Sequence, residues 1–158
     1  MMNSLYFYET EIGMLAVEEN GRAITKVYFS DDEIPQNRRV EETPLLKEAG
    51  KQLKAYFAGE IRQFTLPLEY EGTAFMQLVW KALEQIPYGE TRCYQDIAEM
   101  IDNPKAVRAV GLANNRNPLP VFVPCHRVIG KNGKLTGYAG GLEVKEYLLS
   151  LEKKHGHF

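Results

Sequence analysis

The chain has 158 residues, of which 44% are hydrophobic, 25% charged and 11% aromatic, and its formal net charge is −2. This is globular composition, which excludes disordered, collagen-like and fibrous classes, and a chain of this length buries roughly 70% of its unfolded surface without staples. No apolar run approaches a membrane span, and the two cysteines, Cys93 and Cys125, make neither a disulfide framework nor a paired zinc motif, which implies a reducing, cytoplasmic setting.

In chain order, Leu5 to Tyr8, Met14 to Val17 and Ile24 to Phe29 are short runs of apolar, aromatic and β-branched residues, the pattern of strands. Asn20-Gly21 between the second and third suits a tight turn with positive φ. Ser30 to Thr43 is polar and reads as a loop. Thr43-Pro44 then supplies an N-cap and a first-turn proline for a helix that runs through Phe57 and stops at Gly59. Phe64-Thr65-Leu66 predicts a further strand, and Glu69 to Gly72 a linker. The boundary divides the chain into 1–72 and 73–158.

Beyond the linker the periodicity turns helical. Thr73 caps a helix with Phe75, Val79, Trp80 and Leu83 on its apolar face, ending before Pro87-Tyr88-Gly89. A second helix spans about Tyr94 to Ile101. Asn103-Pro104 breaks the chain and starts a third, Lys105 to about Asn114, with Asn103 as cap. Val107, Val110 and Leu112 or Gly111 face inward, and Lys105 and Arg108 share a face. Two short helices joined by a three- or four-residue turn outline a helix-turn-helix. Leu119 to Pro124 reads as extended, Lys131 to Lys134 as a turn, Gly137 to Gly141 as a glycine-rich loop and Leu142 to Lys154 as a closing helix. His155 and His157 fall in a polar tail read as disordered. The fold class is α+β: a small N-terminal α+β lobe, then a mostly helical C-terminal lobe.

The near-neutral total hides an asymmetry. Residues 1–72 carry 8 basic and 13 acidic side chains, a net of −5, while residues 73–158 carry 11 and 8, a net of +3. Lys105, Arg108, Arg116, Arg127, Lys131 and Lys134 follow one another with no acid between. Such a segment attracts phosphates, although charge alone fits a solvated basic face equally well.

Cys125 lies in Pro124-Cys125-His126-Arg127-Val128. A thiol is a strong nucleophile only as its thiolate, which adjacent cations favour, yet a cysteine taken alone is more often an inert buried one. A histidine base needs a partner to fix its tautomer. No acid occurs between Asp102 and Glu143, so Glu143, Glu146 and Glu152 on the last helix are candidates, and position does not choose among them.

Pro124 to Val128 resembles the active-site motif of the O6-alkylguanine-DNA alkyltransferases. So, in the same order, do Ile86-Pro-Tyr-Gly-Glu-Thr, Tyr94-Gln-Asp-Ile-Ala, Asn103 to Gly111, Asn117-Pro-Leu-Pro120, Gly137 to Leu142 and Lys145 to Glu152. The resemblance covers about residues 73–154. It implies stoichiometric, single-turnover repair: the alkyl group of O6-alkylguanine in double-stranded DNA moves irreversibly to Cys125, with O4-alkylthymine left open as a second lesion. His126 would deprotonate the thiol through a water, Glu152 would orient His126, Asn117 would organise the hydrogen bonds beside the thiol, and Tyr94 would donate a proton to the departing base. Arg108 would fill the gap left by a flipped nucleotide, with Lys105, Ala106, Asn103 and Arg127 also at the DNA. Val128, Tyr138, Ala139, Gly140 and Pro120 would line the base pocket. No cofactor or metal, no membrane and a monomeric state are implied. Lesion sensors of the same kin typically lack the reactive cysteine, so Cys125 favours transfer, and a thiol hydrolase gives Arg108 no purpose. Cys93 stands where the family commonly has serine. Cysteine caps helices poorly, so a loosely started second helix is expected.

Overall fold

The computed structural model describes residues 2–156, arranged as two compact units that meet in sequence between Tyr70 and Glu71. The first is a four-stranded sheet with one helix. β1 (Ser4–Thr10), β2 (Gly13–Glu19), β3 (Ile24–Tyr28) and β4 (Arg39–Val40) lie in the order β3-β2-β1-β4. β1 runs antiparallel to β2, with Tyr6 opposite Val17, and β2 antiparallel to β3. The Asn20-Gly21 turn forms as expected: Gly21 has φ 94°, and the Asn20 side-chain oxygen accepts from the Arg22 and Ala23 amides, each at 2.9 Å. β4 was not legible. It lies inside the expected loop and is only two residues long, paired parallel to β1 with Val40 opposite Leu5.

α1 (Pro44–Phe57) begins at Thr43, whose hydroxyl accepts from the Leu46 amide at 3.2 Å. It packs on β1 and β2 and buries Leu46, Ala49, Leu53 and Tyr56, on the sheet face that carries Tyr8, Leu15 and Val17. Gly50 is needed here, because a Cβ at that position would collide with the Tyr8 ring. The expected strand at Phe64–Leu66 is absent. Gln52 satisfies that backbone instead, its side-chain oxygen accepting from the Thr65 amide at 2.9 Å, and Pro67 removes a ladder donor; only Leu68 makes a bridge, to Ile24. Glu18, 3% exposed, accepts from Asn3, Tyr28 and Arg38 at 2.7–2.8 Å, so its charge is buried with partners.

The second unit is mostly helical. α2 (Ala74–Leu83) is capped by Thr73, whose hydroxyl accepts from the Met76 amide at 3.1 Å. The buried Trp80 on α2 donates its indole N–H to the Ala113 carbonyl at 2.9 Å. That bond ties α2 to α4 (Val107–Asn115). α3 (Tyr94–Met100) follows β5 (Arg92–Cys93), which pairs parallel with β6 (Val128–Ile129); α5 (Leu142–His155) closes the unit. Together the units form the expected α+β fold.

Several expectations are corrected in this unit. Asn103 is not a cap: residues 103–106 form a turn in which the Ala106 amide donates to the Asn103 carbonyl at 3.0 Å, and α4 starts at Val107. Lys105 therefore sits outside the helix and shares no helical face with Arg108, and the link from α3 to α4 spans six residues, 101–106. On α4 the buried positions are Val110, Ala113 and Asn114, whereas Leu112 is 51% exposed. Lastly, Leu119 to Pro124 is not extended but a tight buried loop, closed by the Val123 amide donating to the Leu119 carbonyl at 2.8 Å. His155 ends α5 rather than lying in a tail, and His157 lies outside the described residues.

Candidate active site

Cys125 opens a single 3-10 turn, Cys125–Arg127, between that tight loop and β6. The loop is strained. Val121 has φ 75°, a conformation in which a β-branched side chain crowds its own backbone, at a cost of about 1–3 kcal/mol. Asn117, 7% exposed, holds it. Its side-chain oxygen accepts from the Leu119 amide and its amide donates to the Val123 carbonyl, both at 2.9 Å. Asn117 thus fixes both ends of the bend that delivers Cys125.

His126 and Arg127 both turn toward α5 and meet Glu152. His126 is fully buried and its Nε2 lies 2.7 Å from Glu152 Oε2. Arg127 donates through Nε to Oε1 at 2.8 Å and through Nη2 to Oε2 at 2.9 Å, and its Nη1 reaches the Ile86 carbonyl at 2.7 Å. The expectation that Arg127 faces DNA is therefore corrected. It is 8% exposed, and all three guanidinium nitrogens are engaged inside the protein. Pro87-Tyr88-Gly89 supports the same cluster. Gly89, at φ 79°, completes a turn that brings its amide to Glu152 Oε1 at 3.3 Å and sets the Tyr88 ring 5.6 Å from the Arg127 guanidinium.

These contacts determine protonation. Burial alone would push the Glu152 carboxyl up, but the hydrogen bonds it accepts from His126 and Arg127, together with the Arg127 charge, hold it well below the usual carboxylate range. Burial pushes His126 down, only partly offset by Glu152, so its imidazole is neutral. Glu152 is then an ionised acceptor and His126 Nε2 must carry the hydrogen. His126 Nδ1 is consequently a bare lone pair, buried and without a hydrogen-bond partner among the described residues. Burial also pushes the Cys125 thiol up to about 11, while Asn117 and the charge of Lys145 pull it the other way.

Lys145 escaped the sequence reading. It is fully buried on α5, donates from Nζ to the Thr136 carbonyl at 2.6 Å, and burial pushes its ammonium down to about 8. The signal was present: Lys145, Leu148 and Glu152 occupy one helical face, so two charged residues stand among the apolar positions of an amphipathic helix. Tyr94 opens α3, and its hydroxyl lies 2.7 Å from the Thr136 hydroxyl. Cys93 does precede α3, and Asp96 firms the start by accepting from the Cys93 amide at 2.9 Å.

Arg108 is exposed on the first turn of α4, as are Lys105 and Asn103 in the turn before it; Ala106 is half-buried. Pro120 and Val128 are buried, Tyr138 and Gly140 half-buried and Ala139 exposed, the last three in the loop before α5. The structure thus gathers Cys125, His126, Asn117 and Glu152 about one turn and leaves Arg108 on the surface helix. Among the described residues no three His, Cys, Asp or Glu side chains converge as metal ligands, and no helix is long and apolar enough to cross a membrane.

The chain matches two family models along most of its length: the 6-O-methylguanine DNA methyltransferase ribonuclease-like domain over residues 5–70 and the DNA binding domain of the same enzymes over residues 74–154. It is 54% identical to the constitutive methylated-DNA–protein-cysteine methyltransferase of Bacillus subtilis, across 96% of both chains. With the enzyme of that name from Methanosarcina acetivorans it shares 53% identity over 92% of this chain and 95% of the other. Its structure superposes on Mycobacterium tuberculosis OGT in complex with DNA with a TM-score of 0.91, at 46% identity, covering 96% of this chain and 94% of that one.

Proposed function

The chain belongs to the methylated-DNA–protein-cysteine methyltransferases, which repair DNA by moving an alkyl group from the damaged base to a cysteine of their own, and from that premise we propose how its residues carry the transfer. Cys125 is the acceptor. The observation that carries this reading is the His126–Glu152 contact at 2.7 Å, which commits Nε2 and leaves Nδ1 as a buried base on the residue adjoining the thiol. Burial keeps the Cys125 thiol protonated at rest, so the nucleophile is made on demand. A bridging water passes the thiol proton to Nδ1, and Glu152 stabilises the imidazolium that forms. The sulfur then attacks the alkyl carbon in line with the breaking bond to O6 of guanine. Tyr94 donates a proton to the base, which departs neutral. The thioether product is a poor leaving group, so each molecule acts once.

The lesion lies within the base stack, so the nucleotide must be flipped out. Arg108, exposed on α4, fills the space it vacates, while Lys105, Asn103 and Ala106 meet the backbone beside it. Pro120, Val128 and the loop of Tyr138, Ala139 and Gly140 line the base pocket. The partner is double-stranded DNA bearing O6-alkylguanine, bound by the second unit, with the first in a supporting role. A monomer in the cytoplasm fits this reading, and the two free cysteines among the described residues support the reducing setting.

The test is intact mass after incubation with a duplex carrying one O6-methylguanine, followed by peptide mapping. One methylene gained on Cys125, and none in Cys125→Ala, is the expected result. Tight lesion-selective binding without any mass gain makes the protein a sensor instead, and a methylated residue other than Cys125 overturns the assignment.

A further inference from the structure

We infer that Thr136 is a positioning residue for the transfer, holding Tyr94 through its hydroxyl and Lys145 through its carbonyl so that the proton donor and the thiolate's cation are set by one residue. The inference rests on the reading of Tyr94 as proton donor to the leaving base. Thr136 lies in the loop between β6 and α5, two residues before Tyr138, and is half-buried. Its Oγ1 is 2.7 Å from the Tyr94 hydroxyl, and its carbonyl accepts from Lys145 Nζ at 2.6 Å. Lys145 in turn is the cation whose charge favours the Cys125 thiolate. Tyr94 starts α3 and Lys145 sits on α5, so nothing local in the sequence joins them; the Thr136 loop does.

In the resting pair either hydroxyl can donate. Only donation from Thr136 to the Tyr94 oxygen leaves the Tyr94 hydrogen directed at the base. As the S–C bond forms and the C–O6 bond breaks, the Tyr94 O–H bond breaks and an N–H bond forms on guanine. Negative charge grows on the Tyr94 oxygen, and the hydrogen bond from Thr136 strengthens against it. The thiol proton stays on His126 until solvent removes it, and solvent returns a proton to Tyr94, so the balance closes without another reagent. Gly111 on α4 lies beside the same ring: a Cβ there would meet Tyr94 at 3.8 Å, an ordinary van der Waals contact.

The experiment measures single-turnover methyl transfer from an O6-methylguanine duplex across a range of protein concentrations, separating the saturating rate from the half-saturating concentration. Thr136→Val keeps the branched shape and removes the hydroxyl, while Thr136→Ser keeps the hydroxyl. The saturating rate of Thr136→Val should fall about tenfold, the size of one hydrogen bond to a developing charge, with half-saturation unchanged. Thr136→Ser should stay within about twofold of wild type. Because Thr136 acts through Tyr94, adding Thr136→Val to Tyr94→Phe should slow transfer no further than Tyr94→Phe alone. A Thr136→Val rate equal to wild type, an equal fall in Thr136→Val and Thr136→Ser, or additive losses in the double variant overturns the inference while leaving Tyr94 as donor. If Tyr94→Phe itself transfers at the wild-type rate, the donor reading falls and the inference falls with it.

Discussion

Glu152 is 1% exposed and carries three obligations: it orients His126, neutralises Arg127 and accepts the Gly89 amide. Glu152→Gln keeps the shape but leaves the buried Arg127 without a counter-charge, which should cost about 3–5 kcal/mol of stability. It also replaces one of the two acceptor oxygens by a donor, so His126 loses its fixed tautomer and transfer should slow even in molecules that remain folded. Chemical denaturation paired with single-turnover kinetics separates the two losses; unchanged stability would show that the ion pair contributes nothing net. The pH dependence has a definite sign. The folded-state carboxyl is held below its unfolded value of 4.5, so the stabilisation is complete above that value and is lost as pH falls through the acid range below it. The Glu152→Gln variant should lack this part of the acid sensitivity. At this scale the sequence singled out Cys125 and His126 as neighbours, but its own spacing left three acids open, because only the packing of α5 against the Cys125 turn brings Glu152, and not Glu143 or Glu146, to His126. Arg127 was misplaced for the same reason: a cation in a basic segment looks like surface until its partner, twenty-five residues away, is seen.

α4 illustrates what governs elements. Arg108 stands on its first turn, directly after the 103–106 turn, so its side chain is presented at the N-terminal end of a helix whose opposite end is anchored by the Trp80 bond to Ala113. If its task is to occupy the space of a flipped nucleotide, Arg108→Ala should slow repair of a duplex far more than reaction with free O6-methylguanine, by about tenfold or more for unstacking costs of a few kcal/mol. Side-by-side rates on the two substrates measure this, and equal slowing would remove the extruding role. Elements bounded by local chemistry were legible in the sequence: the Thr43 and Thr73 caps, the Asn20-Gly21 turn and the amphipathic α1, α2 and α5 all depend on residues within a few positions. The misread elements were decided by distant groups. Phe64–Leu66 has strand composition, yet the side chain of Gln52 takes its backbone donor. Asn103-Pro104 looks like a cap, yet its carbonyl closes a turn instead. Leu119 to Pro124 has the composition of a strand but is bent by Asn117, against the preference of Val121.

Across the whole chain, charge is divided between the two units more sharply than the total of −2 suggests. The division was legible as arithmetic on the sequence, but which cations are available was not. With Arg127 withdrawn into its pair with Glu152, the basic segment presents Lys105, Arg108, Arg116, Lys131 and Lys134, all exposed. Each phosphate neutralised releases condensed counterions, so log affinity for duplex DNA should fall linearly with log salt, with a slope of about −0.9 per contact. Five available cations bound the contribution of this segment at about −4.5, and fewer contacts give a shallower line. Replacing Lys105 or Lys131 by glutamine should reduce the slope by about one each while leaving the rate of transfer from saturated complex unchanged, because neither touches Cys125, His126 or Tyr94. Arg127→Gln should behave differently, lowering stability rather than the slope. Titrating labelled duplex at several salt concentrations distinguishes these cases. A slope unaffected by Lys105→Gln and Lys131→Gln together would mean that the basic segment does not lie along the phosphates, and an affinity insensitive to salt would remove electrostatics from binding altogether.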